Sequence, residues 1–162
     1  MKIFWTLAGT ISLLFGVGAH GPTENPPGGW KQYSYMSDGF GISSPQVPKL
    51  TSADNYKQYL VYWNEETNDV ITVSFSLKLV DCSAWNQWAK NLDGNVIRII
   101  MVSGNPALES RGNRNALQAG YTLDQCMNGR VYRFAAGWRK GKPKPPIVDK
   151  VLKSFHVLRG KS

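Results

Sequence analysis

From Val70 to Val80 the chain reads VITVSFSLKLV. Ile71, Val73, Phe75, Leu77 and Leu79 recur at every second position, with Thr72, Ser74, Ser76 and Lys78 between them. Only an extended strand turns that period into one apolar and one polar face. A polar face on so long a strand predicts an antiparallel sheet that is covered only in part on that side. The period then changes. Asp81 or Ser83 can cap a helix through a side-chain oxygen, Trp85, Trp88, Ala89 and Leu92 follow at i, i+3, i+4 and i+7, and Gly94 stops the run. A helical stripe beside an apolar strand face has to be buried against it. The two tryptophans are therefore expected to pack this helix on the sheet, and the pattern predicts an α+β fold.

The flanking sequence extends the sheet. Tyr33 and Tyr35 alternate, Asp38-Gly39 is a turn pair, and Phe40 and Ile42 alternate again until Pro45 and Pro48, which together signal a hairpin. Residues 58–64 (QYLVYWN) form a further strand signal. VIRIIMV, residues 96–102, fits strand or helix by period, and its β-branched content favours strand. Asn105-Pro106 reads as a break, 107–111 as extended, and RGNRN as a turn or loop. The runs 116–127 and 130–138 are joined by Asn128-Gly129, the strongest hairpin dipeptide. Ile147, Val148, Val151 and Leu152 then recur at helical spacing behind two prolines, and SFHVL reads as a closing strand.

The ends of the chain bear on where it works. Residues 1–19 hold one lysine, an uncharged apolar run and small residues at Val17 and Ala19, the pattern of a secretory signal cut after Ala19, with a retained anchor as the alternative. Residues 20–29, rich in proline and glycine, read as an extended lead-in, and 30–160 as one domain. Export would place the product in the periplasm or outside the cell, with no stable membrane insertion once the signal is removed. It would also allow Cys82 and Cys126 to pair; buried free thiols are the other reading.

The net charge of +8 is concentrated at one end: residues 130–162 carry ten Lys or Arg against one acid, whereas residues 20–129 carry eight against ten. A local positive field of this kind attracts anions.

Three stretches resemble the PsbP-like superfamily: YSYMSDGFGISSP near the start, the helix SAWNQWAKNL followed by GNPALESRG, and the closing NGRVYRFAAGW…IVDKVLKSFHVL. The resemblance covers about residues 30–159. It implies a single-domain antiparallel sheet flanked by helices, an α/β/α sandwich, and a non-catalytic binding or assembly role. It transfers no ligand residue.

Chemistry is sparse. Gly16, Gly18 and Gly21 spell G-x-G-x-x-G, but across the expected cleavage site, without the strand and helix a dinucleotide needs. No catalytic motif occurs and no cofactor is expected. His156 sits between Phe155 and Val157, a structural setting. His20 would become the amino terminus after cleavage, making it a weak candidate for copper. Glu65 and Glu66 are adjacent and fit a solvated turn. A hydrolase or sugar-active enzyme using the tryptophans and Asp81, Asp93 or Asp124 is the alternative from another class; it requires two convergent carboxylates. The leading expectation is a non-enzymatic factor that meets an anionic envelope component or an acidic protein through Arg130, Arg133, Arg139, Lys140, Lys142 and Lys144. Export sets genomic nucleic acid aside as a partner.

Overall fold

The computed structural model describes residues 29–91, 97–102, 104–113 and 117–158. The chain runs through β1 (Lys31–Tyr35), β2 (Phe40–Ser44), β3 (Lys49–Ala53), β4 (Tyr56–Asn64), β5 (Asp69–Ser76) and α1 (Cys82–Lys90). It continues through β6 (Ile97–Val102), β7 (Asn105–Asn113), β8 (Gln118–Met127), β9 (Arg130–Arg139), α2 (Pro146–Ser154) and β10 (His156–Val157). Seven strands pair antiparallel in the order β3, β4, β5, β9, β8, β7, β6, and β1, β2 and β10 form a second, small sheet.

The small sheet and α2 cover one face of the large one. Phe40 and Ile42 from β2, Val148 and Val151 from α2, and Phe155 meet Val73, Phe75, Phe134 and Leu123 in one buried core. At about 25 cal/mol per Å² of apolar area removed from water, this shared face is the main favourable contribution to folding. The layers are also joined by polar contacts. Between Leu60 and Tyr62 a bulge breaks the β4 register, and the Val61 carbonyl accepts a 2.8 Å hydrogen bond from the buried Ser44 hydroxyl. The bulge would otherwise leave that carbonyl without a ladder partner. Helix α1 lies on the opposite face, tied to β8 by the Cys82–Cys126 disulfide. The result is a single α+β domain of three layers.

Several expectations need correction. The long alternating strand ends at Ser76, because Leu77 turns its amide to the Asn55 carbonyl, and Leu79 is 66% exposed. β3 is not among the expected strands, since all five of its residues are exposed and give it no apolar period. Pro106 lies inside β7 and not at a break: it stands opposite Met101, one residue before β8 pairing starts, so no ladder donor is lost there. β7 also runs through the expected turn to Asn113. The closing strand is only two residues long.

The tryptophans are the main departure. Asp81 caps α1 by accepting from the Ser83 amide, as the sequence allows. The stripe facing the sheet, however, is Cys82, Trp85, Asn86 and Ala89, of which only Ala89 is fully buried, and Trp88 is 54% exposed. The disulfide fixes which side of the helix faces β8, and this turns Trp88 outward. Leu92 and Gly94 lie outside the described residues.

Candidate functional site

The cationic segment after β9 is a pinned turn. Lys140 N–H donates to the Leu117 carbonyl at 2.8 Å, Lys142 N–H to the Arg139 carbonyl at 3.1 Å, and the Trp138 indole N–H to the Lys142 carbonyl at 3.1 Å. Gly141 supplies the left-handed backbone at φ +81° that the turn requires. Arg139, Lys140 and Lys142 are exposed, and none of them enters an ion pair among the described residues. Lys144, next along, pairs with Asp149 of α2 at 2.5 Å and places its ammonium 5.7 Å from the centre of the Tyr121 ring.

Tyr121 links this turn to two arginines that sequence reasoning missed. Arg111 stands opposite Tyr121 in the β7–β8 ladder and lies over its ring at 5.9 Å. Glu109, with its side chain only 5% exposed, is clamped on one oxygen by Arg98 of β6 and on the other by Arg111 at 2.9 Å. Burial works against the Glu109 charge, but the hydrogen bonds and charges of Arg111 and Arg98 outweigh it and hold the carboxyl below its usual range. Both arginine side chains remain about three-fifths exposed, their guanidinium groups oriented from behind by a buried carboxylate. On the α2 side of the sheet a cationic surface therefore runs from Arg98 through Arg111 to Lys144, next to the turn that carries Lys140 and Lys142; Arg139, which alternates with Trp138 as Arg133 does with Phe134, leaves β9 on the α1 side. The signal for it lies in the β6–β7 register, which puts Arg98 opposite Glu109.

The remaining members of the expected patch lie elsewhere. Arg130 opens the ten-residue β9 and Arg139 closes it, which at about 3.4 Å per residue puts them about 30 Å apart. Arg130 packs over the Phe75 ring at 5.4 Å. Arg133 points to the α1 side of the sheet, bound by two 2.7 Å hydrogen bonds to Asp124. Beside it a trough of about 420 Å³ lies over β4, β5 and β9.

Asp81 serves as a helix cap, while Asp93 and His20 lie outside the described residues. His156 is half-buried, its Nδ1 2.9 Å from the Ser154 carbonyl and its ring against Gly41. Glu65 and Glu66 sit in the β4–β5 turn, where the Glu66 amide donates to Asn64. Cys82 and Cys126 are joined, and no three His, Cys, Asp or Glu among the described residues gather as a metal site would require.

No protein-family model and no curated protein matches the chain. Solved structures do. The solution structure of cyanobacterial PsbP from Synechocystis superposes with a TM-score of 0.53 at 12% identity, covering 85% of this chain and 99% of that one. A crystal structure from Bacteroides thetaiotaomicron superposes at 0.54 with 7% identity, covering 81% of this chain and 49% of the other, so this chain spans about half the length of that protein. At such identities the likeness is one of fold: the chain has a PsbP-like fold.

Proposed function

We propose that the chain is an exported, non-enzymatic binding or assembly factor that engages an anionic component of the cell envelope through the Arg139–Lys142 turn, with Lys144, Arg111 and Arg98 beside it. One observation carries the reading: Arg139, Lys140 and Lys142 are exposed, without ion-pair partners among the described residues, on a turn held by three hydrogen bonds. A turn whose backbone is already pinned loses less freedom on binding than a loose loop carrying the same charges. The disulfide agrees with an oxidising compartment, and no helix of the described residues is long and apolar enough to cross a membrane.

The test compares binding to vesicles of anionic and of neutral phospholipid at low and high salt. The parent is expected to bind anionic vesicles and to leave them as ionic strength rises. Arg139→Gln/Lys140→Gln/Lys142→Gln is expected to lose that binding, and Lys31→Gln/Lys49→Gln/Lys78→Gln, which removes equal charge elsewhere, to keep most of it. Equal losses in the two triple variants would show that net charge, not this turn, is responsible. Retention at high salt would show that the contact with the vesicle is not ionic and would overturn the reading.

A further inference from the structure

The trough on the α1 side of the large sheet has a different chemistry from the cationic surface. Its floor is an array of cross-strand neighbours: Gln58, Ser74 and Arg133 form one row, and Thr72 and Ala135 belong to the next. Tyr56, 47% exposed, stands at the rim. A volume of about 420 Å³ falls within the range of roughly 300–1,000 Å³ typical of ligand sites.

Two features select the ligand. The trough is electrically closed: its one cation, Arg133, is satisfied by the Asp124 carboxylate through two hydrogen bonds, so an anion gains little by entering. The second feature is unused hydrogen-bonding capacity. Thr72 as a whole is 6% exposed, but its hydroxyl opens to the trough and has no partner among the described residues, so it is available to a ligand there. Gln58 and Ser74 likewise make no side-chain hydrogen bond there, and one terminal nitrogen of Arg133 is left over from the Asp124 pair.

Two hydroxyls free of protein partners, a neutral amide and an exposed aromatic ring around an open floor match a ligand with hydroxyl edges and an apolar C–H face. We propose that this trough binds an uncharged sugar chain, with one ring resting on Tyr56 and its hydroxyls bonded to Gln58, Thr72 and Ser74. The openness of the trough suits a polymer that enters and leaves at its ends. This site is independent of the cationic surface, and it involves binding without bond cleavage.

The test is a backbone-amide NMR titration of the intact disulfide-bonded protein with neutral hexaoses of glucose, mannose and N-acetylglucosamine, and with a hexamer of galacturonate as the anionic comparison. At least one neutral hexaose is expected to shift the amides of Gln58, Thr72, Ser74 and Ala135, with no dependence on salt. Tyr56→Ala and Thr72→Val are each expected to weaken it by about tenfold, the scale of one lost contact. Tyr56 is exposed, so its variant keeps the fold even if Thr72→Val does not. Arg139→Gln/Lys140→Gln/Lys142→Gln should leave this binding unchanged, which separates failure here from failure of the anionic-partner reading. The proposal is overturned if no neutral hexaose shifts these amides, if Tyr56→Ala binds as the parent does, or if galacturonate is preferred and is displaced by salt.

Discussion

The Tyr132 hydroxyl occupies the space that a side chain at Gly39 would need: a Cβ there would lie 2.6 Å from that oxygen, which donates to the Asp38 carbonyl at 3.1 Å. Gly39 also has φ +76°, strained for any L side chain. Gly39→Ala should therefore cost about 2–5 kcal/mol, combining about 1–2 for the backbone with about 1–3 for the clash. Tyr132→Phe removes the obstructing oxygen. In urea denaturation the double variant should lose less than the two single losses added together, and strict additivity would refute the steric account.

Glu109 makes acid stability a local question. Its folded-state pKa is depressed, so its contribution is fully present above the ordinary glutamate value of about 4.3 and disappears as pH falls through the folded value. Glu109→Gln should cost about 1–3 kcal/mol at neutral pH, where the parent carboxylate holds Arg98 and Arg111. The gap between variant and parent should then narrow in acid. A gap that stays constant from neutral pH down would mean that the carboxylate charge contributes nothing.

The buried phenols set the alkaline limit. Burial, with Tyr33 adding to it, pushes Tyr35 up to about 12. Tyr59 and Tyr121 are also raised, each chiefly by burial, Tyr59 further by its bond to Asp38 and Tyr121 by Glu109. A raised phenol contributes stability below its ordinary value of about 10 and loses it as pH climbs through the folded value. Phenolate absorbance from these residues should rise together with loss of near-ultraviolet circular dichroism between about pH 10 and 12. Ionisation of these phenols in a protein that stays folded would contradict their packing.

With Ala89 as its one fully buried residue, α1 depends on the bond from Cys82 to Cys126. Replacing both cysteines by alanine should cost about 4 kcal/mol on the chain-entropy account. Amide exchange should show residues 82–90 unprotected while the β5, β8 and β9 ladders remain protected. Full protection of α1 without the bridge would show that Trp85 and Asn86 suffice to hold it.

What could be read in advance is what one strand or turn decides by itself. Ile71, Val73 and Phe75 form a buried face because every second residue must, and Asn128-Gly129 turns a hairpin because both residues accept positive φ. The misreadings belong to relations between elements. The side of α1 that meets the sheet is chosen by Cys126, 44 residues away from Cys82. Arg98 and Arg111 meet only because Glu109 lies opposite one and two positions before the other. The expected basic patch counted Arg130 and Arg133 as neighbours of the lysines, although strand length carries Arg130 to the far end and alternation sends Arg133 through to the other face. β3 is held by its pairing with β4 and has no apolar face of its own to announce it.

In the small sheet, β10 pairs with β2, so His156 lies beside Gly41. A nascent chain from which the segment after α2 has not yet emerged cannot form that pairing, whatever else has formed. Phe40 stays uncovered by Phe155 until the segment after α2 has been made, so the small sheet closes over the core only once every strand of the large one exists.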